Sequence, residues 1–171
     1  MWKIIGILLF GAGIMGEVYE WMARNKSRQK RLEEMLIFLK KARYAMDEEK
    51  VRWIPFFEHY ESEDVIVTET LHEIGKRLEE HRYPYGEDAW KSVFLEKKRE
   101  WNCKEACFQV LIQMGGAFFG RSRQENGAFM ESYIRQLEEC KGKEKEKFAE
   151  EKKVWIPVSV LGGVMLVIML I

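Results

Sequence analysis

The sequence has little of what several classes of protein require. Its charge is balanced, with 28 lysines and arginines against 28 aspartates and glutamates. Because nucleic-acid-binding proteins normally carry a strong basic excess, we expect no nucleic-acid partner. Only three prolines occur, and no run of alternating valine, isoleucine or threonine is present. Together with many leucines, glutamates and lysines, this composition favours an all-helical chain.

Cysteine is also rare. Cys103, Cys107 and Cys140 are odd in number, which argues against a disulfide framework and suits a reducing cytoplasm. Cys103 and Cys107 are four positions apart and could form half of a metal site, but no histidine or second cysteine pair stands nearby at ligand spacing. We therefore interpret them as two small residues of a helix.

Motifs that carry catalytic chemistry are missing. His72-Glu73 begins like the zinc motif H-E-x-x-H, but Lys76 occupies the place of the second histidine. The sequence has no phosphate-binding loop of the form G-x-x-x-x-G-K-[ST]. We therefore predict neither an enzyme nor a cofactor.

Two uncharged segments stand at the ends of the chain. Residues 154–171 (VWIPVSVLGGVMLVIMLI) carry no charge. A helix of that length reaches ~27 Å, close to the ~30 Å hydrocarbon core of a bilayer. Ile4–Gly16 is also uncharged but too short to cross alone. We predict a transmembrane helix over 154–171 and an N-terminal anchor over 1–22. The alternative for the N-terminal segment is a signal peptide, for which Gly11-Ala12-Gly13 is a poor cleavage site.

Basic residues flank both segments on their inner sides. Those that follow the first segment are Arg24, Lys26, Arg28, Lys30 and Arg31. Lysines cluster between positions 141 and 153, before the second segment, whereas only Lys3 lies outside the two segments. The positive-inside rule therefore predicts a cytoplasmic domain over 23–153, with both termini across a cell membrane.

Between the anchors, apolar residues recur every three or four positions. This spacing predicts an antiparallel bundle of about six helices, flanked by the two terminal transmembrane helices. Ser62-Glu63-Asp64 is typical of a helix start, and Asn102 is expected to cap the helix that follows it. The inward stripe predicted for the last helix begins at Phe129 and continues through Tyr133 and Leu137.

Aromatic and small residues supply candidate contacts. Five aromatics near predicted loops could meet a partner or could instead close the ends of the bundle: Trp53, Phe56, Phe57, Tyr83 and Tyr85. Gly162-Gly163 could let the second span approach either the first span of the same chain or a neighbouring copy, because small residues allow close helix packing. A homo-oligomer is therefore one of the expected assemblies.

Four stretches together resemble the stage III sporulation protein AB family over the whole chain. They are WKIIGILLFGAGIMG at the start, Glu87–Trp90, Gly116–Ser122, and the ending VLGGVMLVIMLI. The third stretch is similar to a glycine-containing segment of that family, so Gly116, Gly120 and Ser122 join the candidate interaction residues.

The resemblance implies a setting that composition and spacing do not supply. The family belongs to endospore-forming bacteria and acts in the mother-cell membrane facing the forespore, with other stage III sporulation membrane proteins. Its central domain is similar to the cytoplasmic domain of the type II secretion inner-membrane platform protein, which implies a secretion-type ATPase as partner. Two alternatives stay open: a thiol-based membrane sensor or regulator using Cys103 and Cys107, and a simple two-span membrane scaffold.

Overall fold

The computed structural model describes residues 2–46, 51–119 and 123–170. These residues form eight helices and no strand, which confirms the all-α class predicted from the sequence. The helices are α1 (Trp2–Met46), α2 (Trp53–Glu58), α3 (Val65–Glu79), α4 (Gly86–Glu96), α5 (Lys98–Trp101), α6 (Glu105–Gln113), α7 (Gly115–Phe119) and α8 (Arg123–Leu170).

The chain divides into two compact units. One unit, the body, is Arg28–Gly142. The other, the helical pair, combines Met1–Ser27 with Lys143–Ile171. The helices α1 and α8 each contribute to both units, because each is continuous across the division. The division falls after Ser27 in α1 and after Gly142 in α8. The membrane boundaries predicted at 22 and 153 are of a different kind and stay a prediction.

In the body, α1 and α8 bury regular stripes. Five buried positions of α1 alternate in steps of three and four, the spacing of one helical face; they are Leu32, Met35, Leu39, Ala42 and Met46. The buried apolar side chains of α8 are Met130, Ile134 and Leu137. Of the stripe predicted for this helix, Leu137 is buried and Tyr133 packs against the core, but Phe129 is 58% exposed, so the prediction for Phe129 was wrong.

Aromatic rings fill the centre of the body. Phe118 of α7 contacts rings from three other helices, at centroid distances of 5.3 Å to Phe57, 5.0 Å to Trp90 and 5.9 Å to Phe38. The Trp90 indole N–H donates to the Leu111 carbonyl over 2.8 Å, so this buried ring leaves no polar atom unsatisfied.

Helix ends follow local chemistry. The Asp64 carboxylate caps α3 by accepting from the backbone N–H of Ile66 at 3.0 Å and of Val67 at 3.4 Å. Asn102 was expected to cap the start of α6, and that was wrong. It ends α5 in the left-handed conformation, with φ 45°, which asparagine tolerates better than most residues. The residue that precedes α6 is Lys104.

Among the described residues, no helix has the length and apolarity that a membrane crossing needs. The two terminal transmembrane helices stay a prediction.

Candidate interaction site

A pair of charged side chains on α1 fixes the loop before α3. Arg31 is 9% exposed, and its Nε lies 3.3 Å from the Asp64 carboxylate. Its Nη1 donates to the Trp101 carbonyl at 3.0 Å and to the Glu100 carbonyl. One turn further, Glu34 accepts from the Ser62 hydroxyl at 2.7 Å. The two side chains therefore join α1 to the start of α3 and the end of α5.

A charged groove of about 520 Å³ runs between α3 and α4. At its centre the Arg77 guanidinium, 11% exposed, donates to Glu73 at 2.8 Å and to both carboxylate oxygens of Glu96 at 2.9 and 2.6 Å. Beside it, Lys97 lies 3.3 Å from Glu69. Arg77 and Lys97 are therefore neutralised by carboxylates of the same unit, and the Arg77–Glu96 pair clamps α3 to α4.

The pKa values in the groove follow this pairing. The hydrogen bonds from Arg77 hold the pKa of Glu96 below its usual 4.5. The same pair raises the already high pKa of the Arg77 guanidinium, chiefly through the hydrogen bond to Glu96. Both groups are therefore charged at neutral pH and act as a fixed ion pair.

The five predicted contact aromatics lie in different environments. Phe57 is fully buried, while Trp53 and Phe56 are half-buried and pack against the core. Tyr83 is half-buried, with its hydroxyl 3.5 Å from an Arg77 nitrogen. Tyr85 is 72% exposed at the N-terminus of α4. Of the five, only Tyr85 presents most of its side chain to solvent.

The structure brings Tyr85 close to part of the glycine-containing segment. The residue after it, Gly86, lies against the Phe119 ring so closely that an added Cβ would be 2.5 Å from that ring. Half-buried Gly116 lies beside Glu87, 3.7 Å from a carboxylate oxygen when measured in the same way. The N-terminus of α4 and α7 therefore form one surface at this end of the body. Gly120 and Ser122 lie outside the described residues.

The cysteines lie apart from any cluster of ligands. Cys107 is buried, Cys103 and Cys140 are half-buried, and no disulfide joins any two of them. Within residues 2–46, 51–119 and 123–170, no group of three or more histidine, cysteine, aspartate or glutamate side chains is arranged to hold a metal ion.

In the helical pair, the C-terminal part of α8 exposes its apolar side chains. Val154 is 62% exposed, Trp155 58%, Val160 61% and Met165 76%. Since successive residues of an α-helix are rotated by about 100°, these positions lie on several sides of the helix. No side chain of the described residues would lie within 4 Å of a Cβ at Gly162 or Gly163.

Sequence reasoning missed the residues that join the helices of the body. Glu73 and Arg77 are four apart on one helix, and that spacing could have indicated their pairing. Nothing in the sequence indicated that Glu96, 19 positions further on, completes the cluster. Arg31 was counted only as a flanking charge, although it is buried.

The fold defines the class: an all-helical protein whose two long terminal helices each contain an uncharged segment. The model of one family, stage III sporulation protein AB, matches residues 3–171, nearly the whole chain. The chain therefore belongs to the stage III sporulation protein AB family and has a role at stage III of sporulation. No curated protein and no solved structure matches it.

Proposed function

We propose that the chain is a non-enzymatic membrane platform subunit of the complex that joins the mother cell and the forespore during endospore formation. The observation that carries this proposal is the uncharged end of α8, whose apolar side chains are exposed on several sides of the helix. Exposing apolar surface to water is costly, and lipid chains would cover it without needing a protein partner. The membership of the family supports the sporulation setting.

The topology that we propose follows the flanking charges. Two terminal spans hold the chain in the mother-cell membrane, and the body stays in the cytoplasm because basic residues concentrate on its side of both uncharged segments. Other stage III sporulation membrane proteins, and further copies of this chain, are the expected neighbours within the bilayer.

The body docks a secretion-type ATPase in this proposal. Support comes from the resemblance of the chain to a family whose central domain is similar to the type II secretion platform protein. The surface formed by Tyr85, Glu87 and α7 is the docking candidate, because Tyr85 is an exposed aromatic beside the family's glycine-containing segment. Tyrosine is enriched among the residues that dominate binding at protein interfaces.

Co-purification from membranes tests this proposal. The tagged full chain is extracted in mild detergent together with the secretion-type ATPase of the same organism. We expect the ATPase to co-elute, and we expect Tyr85→Ala to lower its recovery more than about tenfold. Tyr44→Ala is the matched control, since Tyr44 is 77% exposed on α1 of the same body and should have no effect.

Two results would count against this proposal. No co-elution with a folded chain would leave the two-span scaffold as the better account. Equal recovery of the ATPase with the Tyr85→Ala and Tyr44→Ala variants would show that the ATPase does not dock at the N-terminus of α4.

A further inference from the structure

One contact in the helical pair aligns its two helices. The rings of Trp21 in α1 and Phe148 in α8 lie 4.9 Å apart. Because α1 runs toward the body and α8 runs away from it, the two segments are antiparallel. Each step back along α1 from Trp21 therefore matches one step forward along α8 from Phe148.

This alignment places the ends of the two uncharged segments at one level. Glu17 lies four residues before Trp21 in α1, and Lys152 lies four residues after Phe148 in α8. Both are therefore ~6 Å along the helix axis from the ring contact and stand at the same level. The next pair is Gly16 and Lys153. Beyond it, α1 is uncharged back to Ile4 and α8 is uncharged to its end. Two segments from opposite ends of the sequence therefore begin at the same level.

On the body side of that level, charged residues form a band around both helices. Its members are Glu17 and Glu20 on α1, and Glu150, Glu151, Lys152 and Lys153 on α8. Glu20 is 72% exposed, and its carboxylate lies 3.7 Å from the Arg24 guanidinium. If Glu17 and Glu20 lay in hydrocarbon, the charged residues of α8 at the same level would lie there too. Burying so many charges in hydrocarbon is too costly, so this placement is excluded.

We infer that the helical pair meets the surface of a lipid bilayer at Gly16 and Lys153, with the charged band in the headgroup layer. This inference rests on the membrane anchoring proposed above. Headgroup phosphates, amines and water solvate carboxylates and ammonium groups, which hydrocarbon does not. Tyr19, 72% exposed, falls within the same band, where aromatic residues commonly stand. This boundary explains how an anchor predicted over residues 1–22 can contain Glu17 and Glu20, because both glutamates then lie outside the hydrocarbon.

Thiol labelling at matched levels tests the boundary. Four variants of the full chain each add one cysteine: Glu17→Cys and Lys152→Cys form the outer pair, and Gly13→Cys and Ile156→Cys the inner pair. All four positions are exposed in the protein itself, so a difference in reactivity reports on lipid and not on protein packing. The chain is reconstituted in vesicles of phosphatidylethanolamine and phosphatidylglycerol and treated with a charged, membrane-impermeant maleimide. The parent chain, with its three native cysteines, supplies the background.

We expect the outer pair to react at similar rates and the inner pair more than about tenfold more slowly, because a thiolate does not form readily in apolar surroundings. A slow reaction at Glu17→Cys together with a fast reaction at Lys152→Cys would contradict the claim that these two positions lie at the same depth. Equal reactivity at all four positions, in vesicles that retain the chain through alkaline extraction, would overturn the boundary alone. A chain removed by alkaline extraction would refute membrane anchoring, and the boundary with it.

Discussion

Arg31 of α1 lies 3.3 Å from Asp64, the residue whose carboxylate also caps α3. When side-chain atoms alone are counted, Arg31 is 10% exposed and Asp64 11%, so both side chains are almost buried. The guanidinium also binds two carbonyls at the end of α5, so one side chain holds three helices. Hydrogen bonds to charged groups in such surroundings are stronger than those between neutral groups.

Removing the guanidinium should leave these partners unsatisfied. We expect Arg31→Ala to lower the free energy of unfolding by about 3 kcal/mol, since breaking a buried pair strands its partner. Urea denaturation of the detergent-solubilised full chain, followed by tryptophan fluorescence, measures the change. Lys30→Ala is the control, because the Lys30–Glu63 pair is 49% and 78% exposed and should matter little. Equal losses for both variants would show that Arg31 has no special structural role.

Glycine at position 86 is required by a close approach. An added Cβ would lie 2.5 Å from the Phe119 ring, so Gly86→Ala should destabilise the body by about 1–3 kcal/mol through overpacking. Gly142→Ala, at a helical position with nothing within 4 Å, should instead stabilise the chain by roughly 0.5–1 kcal/mol. Thermal unfolding of the two variants measures whether each substitution raises or lowers the stability. A stabilising effect of Gly86→Ala would contradict the close contact between Gly86 and Phe119.

These contacts show what the sequence could and could not predict. The stripe of Leu32, Met35 and Leu39 was visible because helical periodicity needs only local information. At the start of the last helix, Phe129 was wrongly predicted to face inward in place of Met130, because both residues are apolar and only the packing of the body distinguishes them. The Arg77–Glu96 pair depends on how α3 meets α4, which periodicity does not determine.

Acid should weaken the clamp between α3 and α4. The pKa of Glu96 is lowered in the folded chain by Arg77 and returns toward 4.5 on unfolding. A group with a lowered folded pKa stabilises the protein above its unfolded pKa, and that contribution is lost as the pH falls through the folded pKa. We therefore expect Glu96→Gln to lower the urea midpoint at pH 7. At pH 3, which is below the ordinary pKa of 4.5 for this carboxyl, the same substitution should change the midpoint less.

Glu79→Gln is the control for this pH dependence. Glu79 is exposed on α3 and forms no ion pair with the part of the chain that the structure describes. Its urea midpoint should follow that of the wild type at both pH values. An effect of Glu96→Gln that is as large at pH 3 as at pH 7 would mean that charge is not its cause.

The platform proposal and the thiol-sensor alternative make opposite predictions for substitution of the cysteines. Cys107 is buried, and no disulfide joins any two of the three cysteines. We expect the triple variant Cys103→Ala, Cys107→Ala, Cys140→Ala to support sporulation at the wild-type level, because small apolar replacements keep the packing. Spore counts of the complemented deletion strain measure this. Loss of spores with normal protein abundance would favour redox sensing over a platform role.

The position of the C-terminus relative to the membrane tests the central claim most directly. A reporter is fused after Ile171, and a second reporter is inserted after Gly142, where the body ends. The chain is produced in vegetative cells, whose single membrane exposes its far side to the medium, and protease added to their intact protoplasts should remove the C-terminal reporter and leave the inserted one untouched. A C-terminal reporter that survives until the protoplasts are lysed would contradict a platform held by two terminal spans.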